Sequence, residues 1–228
     1  SFQVGTAVDG DGQALVASVR GGVRAAPEVR WWYGVARFLS LFGVLVLVGG
    51  GWWLLQPGLD LAARRSARRI AVVGAASFVL GSAAAVGLFG AEANAGSLAD
   101  AFTPSVWADV ADTRTGVMLL ARLAMAAVLA VLVALLSQRR EGWWRGAAFA
   151  AGLFALYTFP ASGHPNSLHP AALWIAVDLA HLAAIAVWLG GLLAVLVAGN
   201  TTLAEPGGER FAARFSRTAA LAVPVVVV

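Results

Sequence analysis

"ARFLSLFGVLVLVGGGWWLLQPGLDLAARRSARRIAVVGAASFVLGSAAAVGLFG", Ala36 to Gly90, sets two long apolar runs on either side of one short basic knot. No charged residue falls between Arg37 and Asp60, and none between Arg69 and Glu92. Helical runs of ~17–25 apolar residues cross the ~30 Å of a hydrocarbon core, where a helix satisfies its own backbone hydrogen bonds. The stretch therefore reads as a transmembrane helical hairpin. Trp52 and Trp53 stand at the end of its first run, where an interfacial aromatic belt belongs, and Arg64, Arg65, Arg68 and Arg69 mark its connection. The small-residue run "VLGSAAAVGLFG" in its second arm lets helices approach closely.

The pattern continues along the chain. Apolar runs lie at roughly Trp31–Leu55, Ile70–Phe89, Thr115–Ser137, Trp144–Ala161 and Pro170–Ala198, and a sixth starts near Thr218. Hydrophobic residues make up 60% of the 228 and charged ones 12%, against about 25% charged in a soluble domain. The expected fold is all-α, a polytopic helical membrane bundle of five complete spans and the start of a sixth, preceded by the end of a small β domain. Residues 1–8, opening on the alternating "SFQVG", read as a last strand, 9–30 as a linker and 31–228 as the membrane domain. A start without Met and an end in "ALAVPVVVV", too short to span, lead us to expect that both ends are cut.

Every basic residue is an arginine, and most stand in short patches between apolar runs, as topology signals do, so nucleic acid is not an expected partner. Arg64–Arg69, then Arg139, Arg140 and Arg145, then Arg210, Arg214 and Arg217 occupy alternate connections, which are expected in the cytoplasm. Ala91–Arg114, with a short interfacial helix in "LADAFTPSVWADV", then lies outside, with Ser162–His169 and the amino terminus. "GGERFAARFSR" reads as an amphipathic surface helix leading into the sixth run. The paired tryptophans, including Trp31–Trp32 and Trp143–Trp144, are expected to anchor at the interfaces.

Chemistry is confined to few residues. The absence of cysteine excludes disulfides, zinc knuckles and thiolate ligands. No nucleophile triad, phosphate-cradling glycine loop or carboxylate pair stands in a plausible setting, so no enzyme is expected. A charge inside a bilayer costs about 2.5–3.5 kcal/mol on insertion scales and usually meets a partner or a cavity. Four such residues are Arg37, Arg122, Asp178 and His181. Helical rise puts Arg37 at ~9 Å, Arg122 at ~10 Å and Asp178 at ~12 Å depth, which predicts that Asp178 pairs with Arg122 or Arg37.

Asp178 and His181 share one helical face with Trp174, Ile185 and Trp188, and His181 comes out at ~16 Å, near mid-bilayer. His164 and His169 stand in the outer connection; Met118 and Met125, seven apart, share a face of the third run. His164, His169 and Met118 above His181 and Met125 form a descending series of ligand types. Imidazole and thioether together suit copper better than zinc or magnesium. The plain alternative makes His181 a hydrogen-bonded structural residue oriented by Asp178, and the methionines core filler.

"ASGHP" on an outer loop, "DLAHLAAIAVWLGGL" in the next span and "RFSRTAALAV" entering another resemble the copper-resistance protein D (CopD) family, with Arg37 in "GVARFLSLFGVLVLVGG" and Arg122 in "GVMLLARLAMAAVLA" fitting the same pattern. The resemblance covers Trp31 to the end. It implies copper uptake or copper handling across the bacterial inner membrane, with His164, Asp178, His181 and Trp188 carried over by motif and the two arginines as structural partners; His169 has no secure place in the motif. "SFQVG" is similar to the closing strand of the periplasmic CopC copper-binding domain, to which such membrane regions are often fused, and implies a CopC-like partner. Because imidazole binds metal when neutral, uptake is expected to weaken below about pH 6. Two rival readings are a b-type haem electron-transfer bundle, which needs a second intramembrane axial histidine, and a non-transporting anchor or sensor for a copper chaperone domain.

Overall fold

The computed structural model describes residues 25–56, 61–136, 142–163, 168–203 and 208–227. The strand expected at 1–8 and most of the linker lie outside them. Among the described residues the elements are helices: α1 Pro27–Leu55, α2 Leu61–Ala93, the 3-10 turn Ala99–Phe102, α3 Pro104–Ala111, α4 Arg114–Leu136, α5 Gly142–Ser162, α6 Ala171–Leu203 and α7 Gly208–Val227. α1 starts at Pro27, ahead of the expected Trp31, because a proline in the first turn needs no N–H partner and has its φ preset.

Among the described residues, four helices are long and apolar enough to cross a membrane: Pro27–Leu55, Ala63–Ala93, Arg114–Leu135 and Ala171–Val197. The protein is thus multi-pass, with four of the five complete spans expected among these helices. The run expected as a fourth span does form a helix, α5, but Trp143, Trp144, Arg145, Tyr157, Thr158 and Pro160 dilute its apolar content. The expected interfacial segment appears as the 3-10 turn and α3. There Trp107 Nε1 donates to the Ala101 carbonyl at 2.8 Å, and the Thr113 hydroxyl caps α4 by accepting from Gly116 N at 2.9 Å.

α1 and α2 form the tightest pair. Gly43 lies against the backbone of Phe78, Gly74 against Leu47 and Gly81 against Ser40, with no room for a Cβ at any of the three. Ser40 and Ser82 share a buried hydrogen bond of 2.9 Å, and the Ser77 hydroxyl donates to the Leu39 carbonyl at 2.9 Å. In hydrocarbon, where apolar burial drives little, this close backbone packing with hydroxyl bonds is what holds helices together. On another side of α1, Gly49 meets Gly190 of α6 backbone to backbone.

Three apolar clusters stack along the bundle. The central one joins Val44, Phe78, Leu129, Leu156, Leu182 and Ala186. A second, around Val29, Val86, Val110 and Leu119, closes the end that carries α3. The third closes the arginine-rich end around Trp53, Ile70, Ala194 and Phe211. Trp53 departs from the anchoring role expected of it. It is buried, donates to the Val187 carbonyl at 3.2 Å and takes Phe211 of α7 edge-on at 5.2 Å, so its indole docks α6 and α7 rather than facing the interface. Trp31, Trp32 and Trp143 are exposed, as belt residues are.

Candidate functional site

α6 carries the candidate site because its periodicity sorts two stripes. Leu182, Ala186 and Gly190 are buried, the last two against Gly49 of α1. Trp174, Asp178, His181, Ile185 and Trp188 form another stripe, turned away from α1 by the 100° step of the helix. Asp178, His181 and Trp188 are half-buried and Trp174 is exposed.

His181 Nδ1 lies 3.2 Å from the carbonyl oxygen of Val225 on α7. A carbonyl can only accept, so in the neutral imidazole Nδ1 carries the proton and Nε2 keeps its lone pair. A second partner that fixes the tautomer in this way is what metal-ligating histidines usually have. Asp178, one turn away on the same stripe, supplies a carboxylate.

The expected pairing of Asp178 with Arg122 is not formed, and Asp178 has no ion pair among the described residues. Arg122, 4% exposed, is turned into the end of α5. Its Nε donates to Thr158 Oγ1 at 3.3 Å, and its Nη2 donates to the Thr158 carbonyl and to Ser162 Oγ, each at 3.0 Å. Its Cζ sits 3.7 Å from the centroid of the Phe159 ring. Carbonyls at the C-terminal end of a helix carry the negative end of its dipole, and Pro160 removes one N–H from that turn. A helix end and an aromatic face therefore take the place of the carboxylate. Arg37, the other expected partner, is exposed with its Cζ 5.6 Å from the Tyr33 ring.

The remaining candidates are dispersed. His164 lies outside the described residues, and His169 is exposed just before α6. Met125 packs against the central apolar cluster and Met118 is half-buried on the same helix. Among the described residues no group of three or more His, Asp or Glu side chains converges to hold a metal ion. What α6 offers is one imidazole nitrogen and one carboxylate on a stripe facing away from α1.

Sequence reasoning missed Thr158, Phe159 and Ser162, although "YTFPAS" puts two hydroxyls four residues apart at the end of an apolar run, on one helical face. Val225 carried no signal, because any backbone carbonyl could fill its role.

The family model of the copper resistance protein D-like N-terminal domain matches residues 27–169, well over half of the chain. No curated protein and no solved structure matches.

Proposed function

The chain belongs to the copper resistance protein D-like family, and on that premise we propose that it carries copper across a bacterial inner membrane through His181. The observation that supports this most is the hydrogen bond from His181 Nδ1 to the Val225 carbonyl, which leaves the Nε2 lone pair free to ligate a metal ion beside α7. An imidazole retained within a span despite the cost of a polar group there marks a functional site. Asp178 offers a second, oxygen ligand one turn away on the same face.

In this reading the copper arrives from a periplasmic donor of CopC type, meets His164 and His169 on the connection between α5 and α6, and passes inward to His181. Met118 and Met125 add thioether contacts along α4. With α5 crossing as well, the arginine-rich starts of α2, α5 and α7 lie at the cytoplasmic face, and the α3 end and amino terminus lie outside. The family's link to copper handling supports the cargo, and the arginine pattern supports the orientation. A b-type haem bundle finds no support in the ligand set, since His181 is the one histidine within the spans.

Copper uptake into vesicles holding the full-length protein tests the proposal. Uptake is expected with the wild type and a drop of tenfold or more with His181→Ala, with a smaller drop for His164→Ala. Unchanged uptake in both variants overturns the site, and no uptake by the wild type overturns the transport reading.

A further inference from the structure

A cavity of ≈ 490 Å³ opens in the arginine-rich half of the bundle, lined by residues from five helices, among them Val48, Leu132, Gly152, Val187 and Leu221. Its size is that of a ligand pocket, ~300–1,000 Å³. Its wall is apolar, and the Thr218 hydroxyl that reaches it is already donated to the Arg214 carbonyl of its own helix at 2.9 Å. α5 and α7 line it without the packing that each makes with α6, so the gap between them leads sideways out of the bundle.

The end of this cavity has a different chemistry. Leu55, Ala148 and Phe149 line it there. One turn before Ala148 and Phe149, on the same face of α5, stand Trp144 and Arg145. Trp144 Nε1 is a buried donor that has no acceptor among the described residues. Such a group costs ~1–3 kcal/mol unless something accepts from it. Arg145 is exposed and donates to the Leu55 carbonyl through one of its guanidinium nitrogens, leaving other N–H groups of its fork available.

We infer that this cavity is a phospholipid site: one acyl chain enters between α5 and α7, and the ester or phosphate oxygens of its headgroup accept from Trp144 Nε1 and Arg145. An apolar groove explains the tail, an unsatisfied indole donor explains an acceptor at its end, and a guanidinium explains an anionic headgroup. The lipid comes from the leaflet that faces the arginine-rich end of the bundle. The assignment stands independently of copper.

Native mass spectrometry of the full chain, extracted in mild detergent, stripped of lipid and re-supplied with phosphatidylglycerol, tests it. One phosphatidylglycerol per chain is expected to survive activation that removes the rest. Gly152→Leu fills the cavity without a backbone clash, because a Cβ at Gly152 meets only Val48, at 3.4 Å; it is expected to abolish retention. Trp144→Phe keeps the ring and loses the N–H, and is expected to lower retention roughly 2–10-fold, the worth of one hydrogen bond. Should Gly152→Leu not fold, Ala183→Leu blocks the cavity from α6. No retained lipid, retention unchanged by both the blocking change and Trp144→Phe, or a lipid-free dimer that closes the α5–α7 gap would each overturn the inference.

Discussion

Arg122 and Thr158 meet twice across the α4–α5 interface, Nε on the hydroxyl at 3.3 Å and Nη2 on the carbonyl at 3.0 Å. The Thr158 hydroxyl is itself donated to the Ala155 carbonyl at 2.6 Å, so its oxygen faces Arg122 as an acceptor. Keeping an arginine within the bilayer costs about 2.5–3.5 kcal/mol. Charge-assisted hydrogen bonds of ~1.5–3 kcal/mol each and a desolvated cation–π contact of ~2 kcal/mol offset it. The pair therefore joins two helices with no carboxylate involved.

Removing either side should weaken that joint. Thr158→Val is expected to cost about 1–3 kcal/mol, and Arg122→Lys a similar amount because an ammonium cannot reproduce the fork. The double variant should cost less than the sum, since both single changes break the same bond. Thermal unfolding in detergent of the four proteins measures this; strict additivity would show that the two side chains do not act together.

Helix contact at Gly49 and Gly190 makes a second prediction. A Cβ at either position meets the backbone of the other helix, so Gly49→Val and Gly190→Val are each expected to lower stability by about 1–3 kcal/mol or more. At Gly34 and Gly146 nothing lies within 4 Å, and alanine there should be neutral or gain about 0.5–1 kcal/mol from helix propensity. The same unfolding assay compares all four.

Outside the spans, the backbone N–H and hydroxyl of Ser97 donate to Asp100 Oδ2 at 2.7 and 2.9 Å and hold its carboxyl below the ordinary value of 3.8. Both bonds favour the ionised form. A depressed native value means that this carboxylate helps the fold above its unfolded pKa, and that the help fades as pH falls through the native one. Ser97→Ala should move the Asp100 titration, followed by NMR, back toward the ordinary value. An unmoved titration would mean that the hydroxyl contributes nothing.

The features legible in the sequence were those written in runs. Apolar length gave the helices and "LADAFTPSVWADV" supplied α3, whereas Arg64–Arg69, expected in a connection, lie in the first turns of α2, and Arg145 lies in the first turn of α5. Partners at long range were not legible. Matching depths turned attention to Asp178 as the partner of Arg122, whereas a helix end with Thr158 and Ser162 was the partner. Composition likewise could not tell the buried Trp53 from its exposed neighbours in the belt, because docking on Phe211 and Val187 depends on where α6 and α7 pack. On α6, the shared face of Asp178 and His181 was legible from their three-residue spacing, and the Val225 carbonyl that sets the imidazole tautomer was not.

Copper ligation at His181 carries the account, and X-ray absorption at the copper edge of the purified full-length protein tests it most directly. Copper-loaded wild type is predicted to show the outer-shell scattering of imidazole, diminished in His181→Ala with a loss of bound copper. A protein that binds no copper, or a spectrum and stoichiometry unchanged by His181→Ala, would contradict it.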